Sequence, residues 1–128
     1  MRRVNLAALG LLLLFAAPAF AQDATVVDSD HYKVEFENDQ VRVLRITYGA
    51  GEKSVMHWHP DAIAVNLTDN TFQMHAQDGT SEDYNSKQGE VSWTEAVTHL
   101  PENLGDASAE VILIEFKKKK KKTEEGCM

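Results

Sequence analysis

Between residues 30 and 117 the apolar positions fall in short alternating runs broken by Gly, Asn, Asp and Pro, and no run keeps a helical period. Side chains on a strand point alternately to its two faces, so this pattern predicts half-buried β-strands. Tyr32, Val34 and Phe36 alternate in a first strand. Val41 and Val43 begin a second, whose phase slips at Leu44 and continues through Ile46 and Tyr48; a bulge near Leu44 would absorb the slip. After the turn Gly49-Ala50-Gly51, residues 54–59 and 62–67 read as strands, and Thr68-Asp69-Asn70 turns into 71–77. Asp78-Gly79 is a strong hairpin signal, and 81–86, 90–94, 97–100 and 110–116 complete the set. About nine short strands at this spacing predict an all-β sandwich or barrel closed by Greek-key pairing. Trp58, Trp93, Phe72 and Met74 are assigned to its core.

The two ends of the chain do not share this pattern. Arg2 and Arg3 precede an apolar stretch over 6–17, followed by Ala19-Phe20-Ala21, a small-x-small cleavage site. The stretch is too short to span a bilayer and has the layout of a secretory signal peptide, removed after Ala21. The mature protein is then expected to be periplasmic or secreted, with no membrane span. At the other end, Lys117 to Lys122 are six consecutive lysines, read as a solvated tail over 117–128. This leaves one β-domain over 30–116.

Composition narrows the function classes. The whole chain has 13 basic and 20 acidic residues, a formal charge of −7, and the leader carries two arginines and no acid. The mature part is therefore more acidic still, which argues against a nucleic-acid partner. The single cysteine, Cys127, allows no internal disulfide, so stability rests on a packed core or a metal. Cys127 reads as a free thiol or as half of an intermolecular disulfide.

The chemistry lies in two stretches. In Gly51-Glu52-Lys53-Ser54-Val55-Met56-His57-Trp58-His59-Pro60 the two histidines are two apart. On a strand they face the same way roughly 6.5–7 Å apart, within reach of one ion, while Trp58 faces oppositely. Taken alone, the pair also fits two packed, hydrogen-bonded histidines. The second stretch, Gly89 to Asn103, supplies His99 after a Gly-led strand and a short turn. Glu95, four residues before His99, is a candidate general base at the mouth of such a site, or a solvated turn residue. His75, with Gln73 on its face, lines the interior or is hydrogen-bonded at the surface. His31 is read as exposed.

Together the two stretches resemble the paired motifs of the cupin superfamily, and the resemblance covers 32–116. The first motif, a glycine, five residues and then His-x-His, is met by Gly51, His57 and His59. The second, a glycine, a strand, a Pro-x-Gly turn, a histidine, three residues and an asparagine, is met by Gly89, His99 and Asn103. The resemblance implies a double-stranded β-helix, or jelly-roll barrel, with a divalent metal on His57, His59 and His99. Three departures stand out. The glutamate ligand usual in the family would fall at Ile63 or Ala64, and Asp61 is the nearest acid. Glu95 and Val97 stand where the family has proline and glycine. One residue is missing before His99.

Imidazole ligands suit Fe(II), Ni, Cu or Zn better than Mg or Ca, which prefer oxygen, and the divalent ion expected is Fe, Zn, Ni, Cu or Mn, its identity open. The reading that follows is a metal-dependent enzyme acting on a small molecule, with dioxygenase chemistry ahead of lyase or isomerase chemistry. The rival is a non-catalytic module that binds a small ligand or metal; a third option is a purely structural barrel with packed histidines. Strand edges offer a homodimer a surface to form on.

Overall fold

The computed structural model describes residues 22–119. The expected signal segment, 1–21, and most of the lysine tail, 120–128, lie outside the described residues. One short helix, α1 (Ala24–Val27), is followed by nine strands: β1 (Tyr32–Glu37), β2 (Val41–Tyr48), β3 (His57–His59), β4 (Ala62–Asn66), β5 (Asn70–Ala76), β6 (Ser81–Ser86), β7 (Val91–Thr94), β8 (Val97–Asn103) and β9 (Ala109–Phe116). The all-β expectation is met, and strand limits differ from the sequence reading mainly at β3, which is shorter, and β8, which runs on to Asn103.

The strands form two antiparallel sheets, ordered β1-β2-β9-β4-β7 and β3-β8-β5-β6. Non-sequential neighbours such as β2 and β9 are the mark of a jelly roll rather than a meander. The core between the sheets is built from Tyr32, Leu44, Ile46, Tyr48, Ala62, Phe72 and Leu113, all buried. The Asp78-Gly79 hairpin is present: Gly79 takes a φ of +86°, open to glycine at no steric cost, and joins β5 to β6.

The phase slip in β2 has a different cause from the bulge expected near Leu44. A bulge does lie beside Leu44, but in β1, between Val34 and Phe36, which pair with Leu44 and Val43; β2 itself pairs continuously with β9 from Val41 to Tyr48. Leu44, Ile46 and Tyr48 face the core, whereas Val41 and Val43 face the other side of the sheet. That outer side is itself apolar: Phe36, Val43, Ile114, Ile63 and Trp93 are successive cross-strand partners in one row over five strands. Trp93 is 57% exposed and stacks on Phe116, and Trp58 is 37% exposed. Both tryptophans were expected in the core; each instead occupies the outward phase of its strand. Phe72 is buried as expected, and Met74 packs against the core half-buried.

Residues before β1 are integrated with the barrel. The Trp58 N–H donates to Gln22 O at 2.9 Å, and Asp23 forms a parallel bridge with Trp58, so the start of the described chain lies along β3.

Candidate metal centre

β3 and β8 pair with His57 directly opposite His99, which puts the two rings on the same face of adjacent strands. His59, two residues along β3, returns to that face, and Trp58 between them points out, as the burial of the three residues requires. The ring centroids are 4.7 Å apart for His57 and His59, 5.0 Å for His57 and His99, and 5.5 Å for His59 and His99. One nitrogen from each ring lies within 4.8 Å of the other two. Nitrogens bound to one ion at about 2.1 Å sit about 3.4 Å apart in a tetrahedral site, so small ring rotations close the set. The three histidines singled out in the sequence are thus brought together.

Hydrogen bonds orient two of these rings. His57 Nδ1 is 2.8 Å from Val55 O and 3.1 Å from Ser54 Oγ. A carbonyl only accepts, so Nδ1 carries the proton and the Nε2 lone pair is left free. Ser54 is fixed in turn by donating to Asp28 Oδ2 at 2.5 Å. His59 Nδ1 lies 2.8 Å from Glu115 Oε2, which leaves His59 Nε2 as the lone-pair nitrogen. Glu115 is 1% exposed and its other oxygen accepts from Arg42 Nε at 2.7 Å; Arg42 reaches on to Asp23 Oδ2 at 2.5 Å. Ala62, across from Glu115 on β4, is short enough to leave that carboxyl room beside His59.

The donor set fits a divalent metal by its own chemistry. His57 Nε2 and His99 Nε2 are buried and have no hydrogen-bond partner, a costly state for polar atoms unless something else binds them. Burial, then the neighbouring His59 ring, pushes the His57 pKa down to about 4. Burial, then His59 and His57, pushes that of His99 down to about 3. Both rings are therefore neutral near pH 7, the form that ligates a metal.

A cavity of about 730 Å³ opens beside the centre, and His59 and His99 are on its wall while His57 lies behind it. Glu95 is exposed in the turn between β7 and β8, at the cavity wall, with no hydrogen bond to the histidines. That turn closes without the Pro-x-Gly pattern because Asp61 Oδ1 accepts the Ala96 N–H at 2.8 Å. Asp61 is thereby engaged on the exposed side, and the three-ring group contains no carboxylate. Of the two positions for the family's glutamate, Ile63 faces the outer sheet surface and Ala64 the cavity.

The remaining residues divide clearly. His75 is at the cavity wall with both nitrogens engaged, by Ser81 Oγ at 2.7 Å and Glu102 Oε2 at 2.8 Å. His31 is not free at the surface: it bridges Asp28 and Glu52 and stacks on Tyr48 with ring centroids 4.4 Å apart. Asn103 is structural. Its Nδ2 donates to Gly49 O and Ala107 O at 3.0 and 2.9 Å, tying the β2–β3 and β8–β9 connections together.

No protein-family model matches the chain, and no curated protein matches it. Solved structures do. A cupin domain from Bordetella pertussis Tohama I superposes with a TM-score of 0.63 at 24% identity, covering 68% of this chain and 92% of that one. The fold is that of the cupins. An RmlC-like cupin family protein with a double-stranded β-helix fold, from Methanocaldococcus jannaschii, gives 0.52 at 15% identity over 70% and 83% of the two chains. Bacillus subtilis oxalate decarboxylase, described with Mn(II) centres, gives 0.50 at 22% identity, over 64% of this chain and 23% of that one. Within the cupin barrel, the three imidazoles point to a site for a divalent metal.

Sequence reasoning missed Glu115 and Arg42. A signal was available: Ala109, Val111, Leu113 and Glu115 share the inward phase of β9, as Arg42 does with Leu44, Ile46 and Tyr48 on β2. Charges in that phase are desolvated and need a purpose.

Proposed function

We propose that this is a metal-binding cupin protein in which His57, His59 and His99 hold a divalent ion, and a small molecule binds beside it in the cavity. The observation that carries this reading is the pair of buried, unpartnered Nε2 atoms on His57 and His99. When bound, the metal supplies Lewis-acid polarisation of a ligand oxygen or, as Fe(II), redox chemistry with dioxygen. The chain's own residues do the rest: Val55 O and Glu115 fix the tautomers of His57 and His59, and the apolar wall excludes water. Glu95, at the rim, is the group we assign to proton exchange with the ligand. On this basis the protein is a metal-dependent dioxygenase-like enzyme, with lyase or isomerase chemistry as its neighbours in mechanism. Fe, Zn, Ni, Cu and Mn are the ions considered, and metal analysis of protein purified without added metal tests the assignment. Oxygen uptake by Fe(II)-loaded protein in the presence of a small enol, catechol or thiol that is oxidised in the process, lost in His59→Ala, tests the enzymatic part.

A second reading is a non-catalytic binder of a small ligand or metal. It is supported by the all-histidine group, which has no acid among its members. Stoichiometric Zn without turnover favours it.

Residues 1–21 are proposed to be cleaved on export, delivering the domain over 30–116 and the tail over 117–128 to the periplasm or the medium; N-terminal sequencing of the exported protein tests this. No helix among the described residues is long and apolar enough to cross a membrane. The apolar outer row of the five-stranded sheet supports a homodimer, as a surface too apolar to stay in water by preference.

A further inference from the structure

The cavity has a charge pattern that selects among ligands. Its body is apolar, from Ile46, Phe72, Met74, Val111 and Leu113. Toward the β5–β6 hairpin and the β7–β8 turn it is lined by Glu82 and Glu95, and among the described residues no lysine or arginine is on its wall. The barrel's two arginines are engaged elsewhere: Arg42 by Glu115 and Asp23, and Arg45 by Glu35 and Glu110. His75, the one further basic group on the wall, is held by Glu102.

A carboxylate on the body of a ligand would lose its water against the apolar residues or, at the mouth, meet the exposed Glu82 and Glu95, and in neither place find a cation to pair with. At the histidine end the situation is reversed. Three neutral imidazoles leave the charge of a bound ion uncompensated, so an ionisable oxygen that gives up its proton is favoured there. We infer that the cavity takes a small molecule with a metal-chelating pair of oxygens at one end and an uncharged, largely apolar body, and discriminates against molecules that carry a carboxylate on that body. The inference rests on the metal-site reading for the chelating end only; the charge preference belongs to the wall.

The experiment compares 4-methylcatechol with 3,4-dihydroxybenzoate, which share their chelating oxygens and differ in the charge on the body. Co(II)-loaded protein is titrated with each, following the visible cobalt bands and the heat of binding. The expected result is at least about tenfold tighter binding of 4-methylcatechol. In Glu82→Gln, the gap narrows through tighter 3,4-dihydroxybenzoate binding, with 4-methylcatechol changed by less than about twofold. Equal or tighter binding of the carboxylate, an unchanged gap in Glu82→Gln, or no saturable binding of 4-methylcatechol overturns the inference. Cobalt that fails to bind, or that binds His59→Ala equally well, overturns the metal reading instead. The same two titrations on metal-free protein then decide the charge preference by the same ratio.

Discussion

Glu115 and His59 are 56 residues apart in sequence and 2.8 Å apart in the barrel, carboxylate oxygen against Nδ1. The carboxylate absent from the three-histidine group itself is thus present one contact further out, where it leaves Nε2 of His59 free to face a bound metal. Partners in this position steady a ligand ring and raise its basicity. Glu115→Gln retains the shape but no longer provides a charged acceptor, and metal affinity is expected to fall roughly 10–100-fold with the fold intact. Competition with a chromophoric chelator measures it. Affinity equal to that of the unaltered protein would remove Glu115 from the account of the site. Arg42→Met is expected to lower stability as well, because it leaves Glu115 buried without its cation, at a cost of about 3–5 kcal/mol.

The histidine pKa values give a pH dependence with a definite sign. His57 and His99 have folded-state values of about 4 and about 3, against an ordinary 6.5. Above pH 6.5 the rings are neutral in both folded and unfolded chains, and their titration has no effect. Below it the unfolded rings take protons that the folded ones refuse, so stability falls as pH drops from 6.5 towards 4. The slope is on the order of 1.4 kcal/mol per pH unit for each ring. Urea unfolding of metal-free protein at pH 7 and pH 5 measures it, and His99→Gln should flatten the slope. Equal stability at the two pH values would contradict the burial of neutral rings.

Ala64 faces the cavity and Ile63 the outer sheet surface, so restoring the family's glutamate is a test with a built-in control. Ala64→Glu adds an oxygen donor on the cavity side and should raise affinity for Mn(II), which favours oxygen, more than for Zn(II), by about tenfold in the ratio. Ile63→Glu should leave the ratio unchanged. A shift in the Ile63 variant alone would mean that the facing of β4 has been assigned backwards.

Trp93, 57% exposed beside Phe116, anchors the apolar outer row. If a second copy covers that row, Trp93→Glu produces a monomer in sedimentation velocity while metal affinity stays the same. A monomer before the substitution rules the homodimer out.

Much of the barrel was legible because its strands are short, alternating and separated by turn residues, and because His57, His59 and His99 sit in two recognisable stretches. What misled was the assumption that one face of each strand is polar. Val41 and Val43 are apolar on the outside of β2 while Leu44 and Ile46 are apolar on the inside, so a change of face imitated a bulge. Trp58 and Trp93 were given to the core by residue type, although the inward phase of their strands belongs to His57 and His59 in one case and to Ser92 and Thr94 in the other. Glu115 and Arg42 were hidden for a different reason. Their partners come from β3 and from the segment before β1, and only the closed barrel brings those elements together.

Metal stoichiometry is the most direct test. Protein purified without added metal is analysed by inductively coupled plasma mass spectrometry and then titrated with Zn(II), alongside His57→Ala, His59→Ala and His99→Ala variants whose folding is verified by circular dichroism. One tightly held divalent ion per chain, lost in each folded variant, is the expected result. Full metal binding by the folded His99→Ala and His59→Ala variants, or none by the unaltered chain, would contradict it.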